Sequence, residues 1–94
     1  MIITKVFIVR KAEKDLHKLP FYILEKLYCW IEQVELYGIQ EVRKIPGHHD
    51  EPLKGSRRGQ RSIRLSKSYR AIYQEYQSSL VIEIFINEVH KHEY

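Results

Sequence analysis

Apolar residues occupy six of the eight positions from 2 to 9. This density of β-branched and aromatic side chains predicts a strand covered on one or both faces, ended by Arg10. Residues 11–18 change to Lys, Glu, Asp, Ala and Leu, which suits a short helix with Leu16 and Leu19 as a small apolar edge. Pro20 breaks that pattern and suits the entry to a second helix. There Leu24, Leu27, Tyr28, Ile31 and Val34 recur at helical spacing, which predicts one buried face over residues 21–37, with Gly38 as the stop. Residues 38–60 carry Pro46, Gly47, Pro52, Gly55 and Gly59 among polar neighbours and read as a long connection with turn chemistry throughout. Three short β-like runs follow at 61–65, 69–76 and 80–87. The fold class is therefore α+β: an N-terminal strand and two helices packed on one face of a mainly antiparallel sheet, completed by a three-stranded C-terminal meander. A single domain is expected over residues 1–94.

The meander has a preferred register. If Leu65 pairs with Tyr69 across Ser66-Lys67-Ser68, then Arg64 lies opposite Arg70, Ile63 opposite Ala71 and Ser62 opposite Ile72. If Ser78-Ser79 is the next turn, Tyr73 faces Ile84, Ala71 faces Ile86 and Arg70 faces Asn87. One face then carries Ile63, Leu65, Tyr69, Ala71, Tyr73, Ile82, Ile84 and Ile86, which the helices can cover. The other carries Ser62, Arg64, Arg70, Gln74, Glu83 and Asn87, with Ile72 and Phe85 between them. A slip of one residue would reverse every assignment, so the apolar count opposes it.

Charge changes this picture from a scaffold into a candidate binding surface. The chain has 16 Lys and Arg against 12 Asp and Glu. Residues 1–53 hold eight of each sign, residues 54–70 hold seven basic and no acidic groups, and residues 71–94 hold one basic and four acidic groups. The positive excess is thus confined to seventeen residues, and such a single-signed patch attracts phosphate or an acidic partner. No basic amphipathic helix accompanies it, which favours nucleic acid over a membrane. Cys29 is the lone cysteine, so no internal disulfide can form and a reducing compartment is expected. The longest uncharged run, residues 76–82, is too short to span a bilayer, and no signal peptide is visible. A cytoplasmic protein is expected.

Directly opposed like charges destabilise a sheet by about 0.2–1 kcal/mol, so the Arg64 and Arg70 pair needs compensation. Glu83 on the same face could provide it, leaving a solvated polar surface. Alternatively a phosphate could bridge the two guanidiniums, with Lys54, Arg57, Arg58, Arg61 and Lys67 supplying the approach field. The chain ends His90-Lys91-His92-Glu93-Tyr94, which brings titratable groups near this site. A disordered polar tail would explain the same residues. His90 and His92 joined by His48, His49 or Asp50 could hold a metal, but no cysteine pattern supports that reading. Cys29 and Trp30 read as packing residues, His17 as a surface residue, and His48 and His49 as loop residues that either touch a substrate or solvate a turn.

Three segments, "AEKDLHKLP", "DEPLKGSRRGQRSIRLSKSYRAIYQ" and "INEVHKHEY", together span most of the chain and resemble the RelE/ParE superfamily of type II toxin–antitoxin toxins, particularly the RelE- and HigB-like mRNA interferases. The resemblance implies cleavage of mRNA, usually in the A site of the 70S ribosome, by attack of the 2′-hydroxyl on the adjacent phosphate. It implies no metal, no small-molecule cofactor and no membrane, and a cognate antitoxin as partner. By the same resemblance Arg64 and Arg70 would stabilise phosphate charge, and His92 and Tyr94 match the C-terminal His-x-Tyr of many members. His92 would be the general acid or base, and Glu93 would orient it or act as a base. The superfamily also contains ParE-like toxins that poison DNA gyrase, and a basic RNA-binding module without catalysis is the non-enzyme alternative.

Overall fold

The computed structural model describes residues 2–91. In chain order it has strand β1 (Ile3–Ile8), helices α1 (Arg10–Leu16), α2 (Phe21–Tyr37) and α3 (Ile39–Arg43), a 3-10 turn (Pro46–His48), strand β2 (Glu51–Pro52), a second 3-10 turn (Gly55–Arg57), and strands β3 (Gln60–Arg64), β4 (Tyr69–Gln77) and β5 (Val81–Lys91). The strands form one sheet in the order β1-β5-β4-β3-β2. β1 runs parallel to β5, and the remaining pairs are antiparallel. This is the expected α+β arrangement, with the helices against one face. No helix of the described residues is long and apolar enough to cross a membrane.

The bounds of α2 match the expectation, but its buried stripe is rotated. Ile23, Leu27, Trp30 and Val34 are buried, whereas Tyr28 and Cys29 are exposed. The spacing of four, three and four residues follows the helical period more closely than the predicted set does. Trp30 meets Tyr73 with ring centroids 5.2 Å apart, a contact that joins α2 to the centre of the sheet. Large side chains buried this way contribute about 1.5–3 kcal/mol each. Gly38, at φ 86°, ends α2 with its N–H on the Val34 carbonyl at 2.9 Å. The next turn then rewinds as α3, which buries Ile39 and Val42. The 38–60 connection is therefore not all loop: it contains α3, the two 3-10 turns and β2.

The first hairpin has the expected register, with Ser62 opposite Ile72, Ile63 opposite Ala71 and Arg64 opposite Arg70. The second does not. Ser78 N–H and Oγ both bond the Val81 carbonyl, at 2.9 and 3.2 Å, so the turn closes on Ser79-Leu80 rather than Ser78-Ser79. Tyr73 consequently faces Ile86, not Ile84. The shift moves each pairing by two positions and leaves the inner face unchanged, so Ile82, Ile84 and Ile86 still enter the core. A bulge then intervenes: Ile72 pairs with Glu88 while Tyr73 pairs with Ile86, which leaves Asn87 as the extra residue. Beyond it Ala71 faces Val89, not Ile86, and Arg70 faces His90, not Asn87. β5 also runs four residues past the expected end, to Lys91. Glu83 pairs with Tyr76 and Lys5 at the other end of the sheet, so it does not neutralise Arg70.

Candidate active site

The outer face of the sheet, opposite the helices, has two halves. At one end Phe7, Phe85 and Tyr76 form an aromatic patch, with Phe7 and Phe85 stacked at 5.2 Å and Tyr76 edge-on to Phe85 at 5.5 Å. At the other end, past the hydrogen bond from Asn87 Nδ2 to Gln74 Oε1 at 3.0 Å, lie the cations.

Asp50 anchors the connection to this end. Its buried carboxylate accepts from Arg61 Nε at 2.6 Å and from the Tyr73 hydroxyl at 2.5 Å, with Arg43 Nε 3.8 Å away. Arg43 Nη2 also reaches the Tyr73 hydroxyl at 3.1 Å and Glu75 Oε1 at 2.8 Å. Burial pushes the Tyr73 phenol well above its usual range, and its hydrogen bond to Asp50 adds to the effect. For Arg43, burial opposes the charge, but the bonds to Glu75 and Tyr73 outweigh it and raise the pKa. Arg61, expected to serve the approach field, is thus committed to a structural ion pair, and the Asp50 carboxylate is enclosed by arginines rather than free to ligate a metal. With Asp50 turned inward, alternation along β2 turns Glu51 to the other side.

Glu51 there lines a cleft of about 390 Å³ with Leu53, Arg57, Ser62, Arg70, Ile72 and His90. Arg57 forks onto Glu88 through Nη1 at 3.1 Å and Nη2 at 3.2 Å. His90 Nδ1 lies 3.3 Å from the Lys91 carbonyl, and Nε2 lies 3.7 Å from Glu88 Oε1. The Arg70 side chain has no hydrogen bond or ion pair among the described residues. The cleft therefore combines a cation without a fixed counter-ion, an imidazole and a carboxylate. Such groups can stabilise negative charge on a phosphate and move protons near neutral pH.

Of the expected site residues, Arg64 and Arg70 are brought together across the hairpin, although Arg64 leans toward His49, with Nη1 3.4 Å from Nε2. Lys54, Arg58 and Lys67 are exposed. His92, Glu93 and Tyr94 lie outside the described residues. The cleft also holds His90, part of the expected titratable cluster, and two groups the sequence reading did not single out: Glu51 in its lining and Glu88 paired with Arg57. The available signal was the apolar spacing in β5, where Ile82, Ile84 and Ile86 are followed by Val89 rather than by an apolar residue at 88. That break in alternation marks a bulge and carries His90 onto the outer face.

The end of β5 needs support from outside the sheet, because β1 stops at Ile8, opposite Ile86. Beyond that point Asp15 of α1 accepts the Val89 N–H at Oδ2, 3.1 Å away. Asp15→Ala is expected to cost about 1–3 kcal/mol by orphaning this amide. Faster hydrogen exchange at Val89 and His90, with the centre of β5 still protected, is the expected readout. Unchanged exchange there would mean that the strand end is held by other contacts.

No protein-family model and no curated sequence matches the chain. Solved structures do match it. A YoeB/ParE toxin from Agrobacterium tumefaciens is similar with a TM-score of 0.70 at 19% identity, covering 95% of this chain and 99% of that one. A chain of the RelBE2 toxin–antitoxin complex from Mycobacterium tuberculosis gives 0.63 at 23% identity, covering 98% and 100%. A chain of the E. coli DinJ–YafQ toxin–antitoxin complex gives 0.68 at 16% identity, covering 97% and 94%. The fold of this chain is the RelE/ParE toxin fold.

Proposed function

We propose that this chain is the toxin of a type II toxin–antitoxin pair and acts as an endoribonuclease that cleaves mRNA by attack of the 2′-hydroxyl on the adjacent phosphate. The observation that carries the reading is the bulged register, which sets His90 directly across from Arg70 in a cleft that Glu51 also lines. A carboxylate takes the proton of the 2′-hydroxyl, and the freed oxygen attacks phosphorus. Arg70 stabilises the pentavalent phosphate charge, with Arg64 on the neighbouring strand adding to the field. An imidazolium gives its proton to the departing 5′-oxygen. The products are a 2′,3′-cyclic phosphate and a 5′-hydroxyl.

Glu51 and His90 fit the base and acid roles by position. His92, Glu93 and Tyr94, which follow the end of β5 directly, complete the proposed set. Lys54, Arg58 and Lys67 supply attraction along the RNA backbone. A cognate antitoxin partner is inferred because two of the similar structures are toxin–antitoxin complexes. It would neutralise the protein by covering the cation end of the sheet. Action on mRNA in the A site of the translating ribosome, and hence in the cytoplasm, follows from the resemblance to the RelE-like interferases.

The test is controlled expression followed by mapping of mRNA ends. New 5′-hydroxyl ends within coding regions are expected within minutes of induction. Growth arrest with intact mRNA and inhibited supercoiling would overturn this reading in favour of a gyrase poison.

A further inference from the structure

Arg64 and Arg70 face each other on neighbouring strands, yet they open into different clefts. Arg70 belongs to the cleft with Glu51 and His90. Arg64 lines a second cleft of about 300 Å³ with Lys26, Gly47, His48, Leu65 and Ser66. Lys26 comes from α2, His48 from the first 3-10 turn and Ser66 from the hairpin turn after β3, so three separate elements converge on the end of that strand.

The lining chemistry is one-sided. Two permanent cations and an imidazole meet there, and none of the lining residues is acidic among the described residues. Ser66 Oγ already accepts the N–H groups of Ser68 and Tyr69, each at 3.2 Å, so its own proton remains available to donate. The His48 ring is held by Gln33, with Oε1 3.0 Å from Nε2. Burial holds the His48 pKa below the usual value; nearby Asp50 opposes this, while Lys26 reinforces it. Arg64 Nε is buried and has no partner among the described residues, and Nη1 contacts the His49 ring, 3.4 Å from Nε2. Unsatisfied buried donors and clustered like charges are both unfavourable. A dianionic or monoanionic oxygen ligand would relieve both.

We propose that this second cleft binds a phosphodiester of the same RNA strand, adjacent to the phosphate held at Arg70, so that the two arginines hold successive phosphates instead of sharing one. Adjacent strands lie about 4.8 Å apart, and two guanidiniums that diverge from that spacing suit two neighbouring backbone phosphates. Lys26, His48 and Ser66 thereby become RNA-binding residues. The inference rests on the ribonuclease reading of the Arg70 cleft, and its test is separable from that reading.

Isotope-labelled full-length protein is titrated, with NMR detection, against inorganic phosphate, a 2′-deoxy dinucleotide with one phosphodiester and a 2′-deoxy trinucleotide with two. The His48 ring and Ser66 amide signals are expected to shift saturably with the trinucleotide. The trinucleotide should bind about five- to tenfold more tightly than the dinucleotide. Lys26→Ala, a change at an exposed helix position, should reduce that advantage to about twofold or less and lower the salt dependence of trinucleotide binding. Signals that move only at the Arg70 cleft would overturn the second subsite while leaving the ribonuclease reading intact. A response to inorganic phosphate with no gain from dinucleotide to trinucleotide would overturn the RNA assignment. The ribonuclease reading itself fails separately, on absence of cleaved mRNA ends.

Discussion

Asp50→Ala is expected to lower the free energy of unfolding by about 3–5 kcal/mol, the usual cost of stranding charge by removing one partner of a buried ion pair. Arg61 and Arg43 would lose their shared carboxylate and Tyr73 its acceptor. Small domains have total stabilities of about 5–15 kcal/mol, so the variant should be close to unfolding at room temperature. A urea titration followed by circular dichroism measures the loss. A change below about 1 kcal/mol would mean that the enclosed carboxylate does not anchor the loop. Tyr73→Phe should cost less, because Asp50 keeps both guanidiniums. The network does not need to be more stable than a hydrophobic equivalent. Its consequence is positional, since it fixes the residue before Glu51 and so the side of β2 on which Glu51 emerges.

The same phenol sets an alkaline limit. Its folded pKa lies above the unfolded value of about 10, so the folded state retains a proton that the unfolded chain gives up. The stability it contributes is complete below about pH 10 and is lost as the pH rises toward the folded value. Tyr73→Phe should flatten the alkaline limb of a stability-against-pH curve. A limb of equal slope in the variant would assign it to other groups.

The first hairpin was legible because three polar turn residues separate two runs whose apolar positions match in only one register. The second was not, because the Ser78-Ser79-Leu80 stretch allows two turns that keep the same inward face. The choice is made by the Ser78 hydroxyl and amide converging on one carbonyl, which hydrophobic alternation does not report. The same holds for charge. Residues 54–70 are wholly cationic along the sequence, but Asp50 and Glu88, from outside that stretch, neutralise Arg61 and Arg57. Local charge counting therefore overstated the free field and hid which arginines remain for a ligand. α3 was missed because five residues are too few to show a helical period, even though Ile39 and Val42 stand three apart on its buried side.

Arg70→Ala is expected to reduce cleavage by about 10²–10³-fold, the typical loss when one donor to a developing oxyanion is removed. His90→Gln should reduce it by about 10²–10⁴-fold if the imidazole transfers the proton, with kcat falling more than KM rises. What makes the Arg70 result decisive is its effect on stability. Arg70 has no counter-ion among the described residues and stands opposite another arginine, so its removal relieves repulsion. The variant should be as stable as the wild type or more stable by about 0.2–1 kcal/mol. Loss of cleavage in a protein that resists urea equally well or better would separate a ligand-directed arginine from a structural one. Arg61→Ala supplies the contrast, since it leaves the buried Asp50 carboxylate with only the Tyr73 hydroxyl and the more distant Arg43 guanidinium, and should destabilise the fold. If instead Arg70→Ala cleaves RNA normally, Arg70 does not hold the reacting phosphate, and the catalytic charge must come from another cation of the cleft.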